Sequence, residues 1–271
     1  DDELVMAGQG TIANEILRQW RDVEYVFVAV GGGGLIAGVA AYLGDVAPHV
    51  KVIPVEYDES ACLKAAFEAN ERVILPQVGL FADGTAVAQI GEKPFEVLQL
   101  QKSDQSGPIV ERDVVLVNTD EICAAIKDTF DENRSIVEPS GAMALAGIKK
   151  YVEQHQLQNK NIVSIVCGAN MNFDRLRYIA ERTELGERKE AIFAVTIPEE
   201  KGSFLKFCRA LQGRNITEFN YRASNASAAQ VFVGISLKSG EKERHDIHEL
   251  LKAQYDVDDL SDDEVAKLHI R

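Results

Sequence analysis

Residues 26–35 read Val26-Phe27-Val28-Ala29-Val30-Gly31-Gly32-Gly33-Gly34-Leu35, the strongest structural signal in the chain. A continuous apolar run that ends in glycine is typical of a strand buried on both faces. Four successive glycines leave no side chain between the backbone N–H groups and a ligand, and the start of a helix adds partial positive charge. The stretch predicts a strand, a phosphate-binding turn and a helix, with a tightly packed turn as the alternative.

The pattern around this stretch alternates between strands and helices. Further strands are predicted at 50–55 and 114–117, and a last, buried strand at 162–166. Helices are predicted at 35–43, 61–69, 121–130 and 140–151. Pro54 suggests that its strand is an edge strand or ends there, and Thr119 is a plausible N-cap. This alternation predicts an α/β fold with a doubly wound, mostly parallel sheet.

The pattern changes near residues 184–190. Beyond them the order is β-α-β-β-α-β, with strands at 191–197, 216–222, 229–237 and near 257, and helices at 203–211 and 244–253. That order predicts an α+β ferredoxin-like domain. We therefore expect one domain over residues 1–187 and a second over 188–271.

Composition excludes several classes of function. The 271 residues carry a net charge of -14 and are 46% hydrophobic, which predicts a folded domain and makes nucleic acid a poor partner. No apolar run approaches the roughly 18 residues of a membrane-spanning helix. The four cysteines form no C-x-x-C pair, so we expect neither a zinc site nor disulfides, and a reducing cytoplasm.

Three residues outside the glycine run could carry chemistry. Cys167 follows a predicted strand and is either inert or a hydrogen-bonding partner of a cofactor. Glu138 precedes a helix-starting proline and either belongs to a site or opens a capped helix. Gly32-x-Gly34-x-x-Ala37 matches the glycine pattern of a dinucleotide-binding site, and Glu56 ends the next strand at the distance expected of a ribose-binding acid. The alternative for Glu56 is a solvated strand end.

Several motifs together resemble one known family. They are Ala7-Gly8-Gln9-Gly10-Thr11, the tetraglycine run, Phe81-Ala82-Asp83-Gly84, Glu138-Pro139-Ser140-Gly141-Ala142 and Cys167-Gly168-Ala169-Asn170. In this order they resemble the biosynthetic threonine ammonia-lyases, fold-type II enzymes that use pyridoxal phosphate. The segments 197–204 and 217–222 resemble the ACT-like regulatory domain of that family, so the resemblance covers the whole chain.

The resemblance implies a role for each site residue. Gly31, Gly32, Gly33, Gly34 and Leu35 would hold the cofactor phosphate. Cys167 would face the pyridine nitrogen, where a neutral thiol leaves the ring a weaker electron sink than a carboxylate would. Glu138 would lie near the ring. The implied reaction is β-elimination and deamination of L-threonine, with L-serine as an alternative substrate, to 2-oxobutanoate and ammonia, the first step of isoleucine biosynthesis.

The chain departs from the family pattern in two respects. No lysine stands in the Ser/Thr-rich Schiff-base motif that precedes the glycine loop in such enzymes. The catalytic residues are therefore unassigned, and we expect an N-terminal catalytic segment and a second ACT-like half outside this sequence, and an inactive chain by itself. Related racemases bind a cation with an acid at the Glu56 position and a nearby carboxylate. The nearby residue here is Cys62, so we expect no metal.

The second domain is expected to bind effectors. Gly202, Ser203 and Phe204 open its first helix and are the predicted effector-binding residues, with an ordinary capped turn as the alternative. The resemblance implies isoleucine as inhibitor, valine as opposing ligand and a homo-oligomer, such as a homotetramer. Two other functions remain open at this point, namely a nicotinamide-dependent oxidoreductase and an amino-acid-binding regulatory module without catalysis.

Overall fold

The computed structural model describes residues 2–100, 109–187, 189–223 and 228–263. They form two compact units, Asp1–Ala180 and Glu181–Arg271. Arg188, at the boundary expected from the sequence, lies outside the described residues, and the division at 187/188 stays a prediction.

The first unit is built on a parallel sheet. Its strands are β1 (Tyr25–Ala29), β2 (Lys51–Tyr57), β3 (Val115–Val117) and β4 (Ile162–Ser164), in the order β3-β2-β1-β4. Its helices are α1 (Glu3–Gln19), α2 (Gly34–Val46), α3 (Cys62–Ala69), α4 (Glu92–Leu100), α5 (Thr119–Asn133) and α6 (Pro139–His155), and α7 (Arg175–Gly186) follows. All strand pairs in this sheet are parallel, which confirms the predicted α/β class.

Helices cover both faces of the sheet. Along β1, Val26 and Val28 join a core shared with α1, α2 and α3, whereas Phe27 and Ala29 join a second core shared with α5 and α6. Successive side chains of a strand point to opposite faces, so the uninterrupted apolar run buries both. This arrangement is the predicted doubly wound sheet.

The first motif of the sequence forms a helix contact. A Cβ added to Gly10 would lie 3.1 Å from the carbonyl oxygen of Gly38 on α2, and a Cβ added to Gly38 would strike the carbonyl of Met6. Glycine at these positions lets α1 and α2 approach with their backbones nearly touching. The motif around Gly10 therefore fixes the position of α2, whose N-terminus follows the tetraglycine run.

Three local expectations were wrong. Pro54 lies inside β2, opposite Val28 of β1, and β2 is an inner strand between β3 and β1. The pairing of β2 with β3 begins only at Val55, so the sheet tolerates the missing N–H of the proline. The N-cap of α5 is Asn118, which forms a reciprocal capping box with Glu121, rather than Thr119. The strand β4 is only half-buried, because it is the edge strand of the described sheet.

The second unit has the predicted β-α-β-β-α-β order. Its elements are β5 (Glu190–Pro198), α8 (Ser203–Ala210), β6 (Ile216–Ala223), β7 (Ala228–Ser236), α9 (Gly240–Lys252) and β8 (Asp256–Asp259). The sheet is antiparallel in the order β6-β7-β5-β8, as in ferredoxin-like folds. Among the described helices of the whole chain, none has the length and apolarity needed to cross a bilayer.

Candidate functional site

The glycine loop connects β1 to α2 and depends on glycine at its third position. Gly33 is the N-cap of α2 and has a φ of 88°, in the left-handed region that disfavours residues with a Cβ. A Cβ added there would also lie 2.5 Å from Cδ1 of Ile90. The loop therefore needs glycine here for its own folding.

Gly32 and Gly34 face open space instead. A Cβ added to either would meet no atom within 4 Å, and Gly32 is exposed. The first N–H groups of any helix lack an intrahelical acceptor, and Gly33 supplies no side-chain cap. With no acidic residue in the first turn of α2, the loop offers free amides and positive helix potential. These features fit a phosphate group.

Contacts connect the glycine loop to two of the other motifs. A Cβ added to Gly31 would lie 3.0 Å from Cα of Thr85, so the two backbones touch. The Thr85 hydroxyl lies 3.3 Å from the hydroxyl of Ser140 at the start of α6. Gly84 lies against both Ser140 and Glu138, with 3.2 Å from its added Cβ to Glu138 Oε1. Sequence reasoning missed Thr85, although it directly follows the Phe81–Gly84 motif.

Glu138 is fixed at the turn that follows β4. Its carboxylate accepts a hydrogen bond from the N–H of Asn170 over 3.0 Å, and its own N–H donates to the carbonyl of Gly168 over 3.3 Å. Gly168 has a φ of 94° and lies against the Glu138 side chain. A Cβ at Gly141 would lie 2.6 Å from the carbonyl oxygen of Cys167, so this glycine lets α6 approach the turn.

Cys167 is half-buried just beyond β4. Because β4 pairs in parallel with β1, the turn holding Cys167 lies at the same edge of the sheet as the glycine loop. Burial raises the pKa of the Cys167 thiol, and the negative charge of Glu138 raises it further. At neutral pH the side chain is therefore an uncharged thiol.

Glu56 lies at the carboxyl end of β2 but faces the protein interior. Its carboxylate is fully buried and accepts hydrogen bonds from the N–H groups of Leu63 and Lys64 at 2.7 and 2.9 Å. Burial raises the pKa of Glu56 to about 7. A carboxylate enclosed in this way cannot reach a ribose, so the dinucleotide-binding alternative is not supported.

No group of three or more His, Cys, Asp or Glu side chains able to hold a metal ion occurs among the described residues. The expectation of no metal stays a prediction.

The second unit contains a cavity beside the predicted effector loop. It has a volume of about 380 Å³ and includes Gly202, Ser203 and Phe204 in its lining. The ring of Phe204 meets that of Phe219 edge to face at 5.0 Å, and the hydroxyl of Tyr221 donates a hydrogen bond to Glu199. Gly202 has a φ of 92° and is the N-cap of α8.

The cavity thus has an apolar wall, helix-start amides and a carboxylate. An amino acid presents complementary apolar and ionic groups. Phe219 and Tyr221 belong to the quoted 217–222 segment, whose alternation could have indicated them.

The fold and the loop define the class of protein. It is an open parallel α/β domain with a glycine-rich turn at the carboxyl edge of its sheet, followed by a ferredoxin-like unit. A family profile described as "Pyridoxal-phosphate dependent enzyme" matches residues 1–168, and the chain belongs to this family. A second profile, "C-terminal regulatory domain of Threonine dehydratase", matches residues 181–270.

Individual relatives agree with both profiles. The chain is 52% identical over 272 residues to "L-threonine dehydratase biosynthetic IlvA" of Escherichia coli and to its counterpart in Salmonella typhimurium. Each match covers 100% of this chain and 51% of the relative, so the chain spans about half the length of these relatives. Among solved structures, the processed form of threonine deaminase isoform 2 from Solanum lycopersicum is 46% identical, with a TM-score of 0.62, over 67% of this chain and 50% of that one.

Proposed function

We propose that the protein is a pyridoxal-phosphate dependent threonine ammonia-lyase that converts L-threonine to 2-oxobutanoate and ammonia in isoleucine biosynthesis. The observation that carries this proposal is the open glycine loop, which contacts Thr85 and through it the motifs that hold Glu138. The names of the relatives, threonine dehydratase and threonine deaminase, suggest the substrate. L-Serine is the second substrate to test, because it has the same β-hydroxyl group.

The residues of the chain have separate roles in this proposal. The amides of Gly31 to Gly34 and of Leu35 bind the cofactor phosphate and fix its position against α2. When bound, pyridoxal phosphate supplies a conjugated ring that withdraws electrons from the amino-acid substrate. Cys167 would face the pyridine nitrogen with a neutral thiol, which would not protonate it. Glu138, held by the N–H of Asn170, would present its carboxylate to the ring.

The lysines that the structure describes in the first unit leave the catalytic base unassigned. Each of these lysines forms an ion pair with a glutamate or aspartate. They are Lys51, Lys64, Lys93, Lys127, Lys149, Lys150 and Lys160. Their side chains range from 32% to 50% exposed, so these pairs lie near the surface rather than at the glycine loop. We assign no proton-transfer step to any of them, and we propose that the lysine which removes the α-proton lies outside this sequence.

The second unit is proposed to bind an amino-acid effector in the cavity beside Gly202, Ser203 and Phe204. Isoleucine and valine are the proposed ligands, because an aliphatic side chain suits the Phe204–Phe219 wall. We further propose a homo-oligomer, as in other effector-controlled enzymes, and a cytoplasmic location for this protein.

The test uses the whole protein, purified with its cofactor. Incubation with L-threonine should release 2-oxobutanoate and ammonia in equal amounts, and reduction with borohydride before assay should abolish this release. A whole protein that binds pyridoxal phosphate but forms no 2-oxoacid from either threonine or serine would contradict the proposed reaction. Addition of isoleucine should slow the reaction, and addition of valine should oppose that effect.

A further inference from the structure

Glu56 forms a buried link between β2 and α3 that the proposed reaction does not use. Its two carboxylate oxygens each accept one main-chain hydrogen bond, from Leu63 over 2.7 Å and from Lys64 over 2.9 Å. Both donors belong to the first turn of α3, where N–H groups have no intrahelical partner. The fully buried Glu56 therefore ties the start of α3 to the end of its neighbouring strand.

Cys62 extends this link to the glycine loop. It is the first residue of α3, is fully buried, and its thiol donates a hydrogen bond to the carbonyl oxygen of Gly31 over 3.5 Å. Burial raises the pKa of Cys62 to about 12, and the charge of Glu56 adds to this effect. The thiol therefore stays protonated, and its acceptors are the carbonyl of Gly31 and the carboxylate of Glu56.

Because the peptide unit is planar, the contact between Cys62 and the Gly31 carbonyl also fixes the direction of the Gly32 N–H. The carbonyl of Gly31 and the N–H of Gly32 belong to one trans peptide and point in opposite directions. A carbonyl held toward the buried Cys62 therefore directs the Gly32 N–H outward, toward the open side of the loop. Without that contact, a glycine on each side of the peptide would leave this plane free to rotate.

We propose that Glu56 and Cys62 are positioning residues for the phosphate loop: Glu56 fixes the start of α3, and the Cys62 thiol fixes the Gly31–Gly32 peptide so that its amide faces the phosphate. This inference rests on the proposed role of the loop. Glu56 and Cys62 are both fully buried, and the proposed reaction gives neither of them another role.

The test separates phosphate binding from folding. The whole protein, freed of its cofactor, is titrated with pyridoxamine 5′-phosphate and, separately, with pyridoxamine, which lacks the phosphate. Cys62→Ala should weaken binding of the phosphorylated probe about three- to tenfold, the usual effect of one lost hydrogen bond, and leave pyridoxamine binding unchanged. Cys62→Ser should retain the affinity within about twofold, because the hydroxyl still donates.

Two further variants control for general loss of stability. Cys123→Ala removes another fully buried thiol, on α5, and should leave both affinities unchanged while lowering the unfolding temperature. Glu56→Gln keeps the size of the side chain. Above the pKa of Glu56, at about pH 8, it replaces one carboxylate acceptor with an amide N–H₂ that faces a main-chain donor, and it should selectively weaken binding of the phosphorylated probe.

The outcomes distinguish this inference from the proposed function. Wild-type affinity for the phosphorylated probe in Cys62→Ala and in Glu56→Gln, with only the unfolding temperature lowered, would overturn the positioning role and leave the phosphate loop intact. Equal wild-type affinity for the two probes would instead show that the loop binds no phosphate, and would overturn both.

Discussion

The carboxylate of Glu138 accepts a hydrogen bond from the main-chain N–H of Asn170 across 3.0 Å. Glu138 is the N-cap of α6, yet its side chain makes no capping bond to that helix. It points instead to the turn after β4, where Cys167 and Gly168 precede Asn170. One bond thus joins two sequence motifs and leaves the acid at the edge of the sheet where the glycine loop lies.

Gly168→Ala should displace Glu138. The substitution imposes a Cβ on a residue with a φ of 94° and places it against the Glu138 side chain. We expect at least a tenfold loss of cofactor affinity, measured as bound pyridoxal phosphate by absorbance after equilibrium dialysis. The matched control is Gly8→Ala, where an added Cβ meets nothing within 4 Å. Full occupancy in Gly168→Ala would show that the turn does not shape the cofactor site.

Gly34→Ala should separate the folding of the glycine loop from its binding of phosphate. Gly34 is the first residue of α2 and its added Cβ would meet no protein atom, so alanine should raise the free energy of unfolding by up to roughly 1 kcal/mol. The same methyl group enters the space proposed for the phosphate. We expect an unchanged or higher unfolding temperature together with at least tenfold weaker binding of pyridoxamine 5′-phosphate.

Gly33→Ala is the contrasting variant. Its left-handed φ of 88° and its contact with Ile90 predict a lower unfolding temperature even without any ligand. If Gly34→Ala kept full affinity for the phosphorylated probe, the space beside Gly34 would not be the phosphate site.

The architecture was predictable from the sequence because the spacing of apolar residues follows from which side chains are buried in a core. The apolar run of β1 and the β-α-β-β-α-β order of the second unit both follow from which faces meet a core. Position within a sheet was less predictable. Whether Pro54 lies on an inner strand depends on where the pairing with β3 starts, and that register is set by distant contacts.

The candidate site shows the same division. The run of glycines that includes Gly32 is visible in the sequence, because few structures other than a ligand-binding turn need four successive glycines. Thr85 does not stand out, since an isolated threonine has no pattern, and only the folded chain brings it against Gly31. Glu56 looked like a ligand for ribose, and its enclosure by the start of α3 could not be read from spacing.

Glu56→Gln should change how stability depends on pH. Burial raises the pKa of Glu56 from 4.5 to about 7, so the folded protein holds a proton that the unfolded chain has lost between these values. The protonated side chain stabilises the folded state fully below about pH 4.5, and this stabilisation declines as the pH rises toward 7. The loss is a few kcal/mol, since each unit of pKa difference corresponds to about 1.4 kcal/mol.

The measurement is the free energy of unfolding in urea at several pH values. The difference between wild type and Glu56→Gln should shift in favour of the variant from pH 5 to pH 7.5. The matched control is Glu71→Gln, the same substitution at an exposed carboxylate. An equal pH-dependent change in both variants, or no change for Glu56→Gln, would contradict the burial-raised pKa of Glu56.

Phe219→Ala should weaken effector binding in the second unit. Its ring forms one wall of the cavity through its 5.0 Å contact with Phe204, and its loss should reduce the affinity for isoleucine about tenfold or more. Isothermal titration calorimetry of the whole protein measures this affinity. Tyr255→Phe is the control, because Tyr255 lines a neighbouring cavity that shares only Ile197 and Pro198 with this one. Equal losses in both variants would count against the proposed cavity.

Cys167→Ser should preserve the elimination reaction, whereas Cys167→Asp should increase side reactions. The raised pKa of Cys167, due to burial and then to Glu138, keeps the native thiol uncharged, and serine preserves an uncharged hydrogen-bonding group at the same place. We therefore expect Cys167→Ser to retain the rate of 2-oxobutanoate release within a few-fold. Aspartate introduces a negative charge that would favour a protonated pyridine nitrogen and a stronger electron sink.

Cys167→Asp should consequently divert substrate to side reactions such as racemisation, which chiral chromatography of the remaining threonine detects. The aspartate introduced at position 167 is also repelled by the carboxylate of Glu138, which adds a second effect to that on the ring. Cys167→Asn separates the two contributions, since it adds similar bulk without charge and should not increase side reactions. Equal partitioning between elimination and racemisation in Cys167→Asp and Cys167→Ser would show that the group beside Glu138 does not set the electronic state of the cofactor ring.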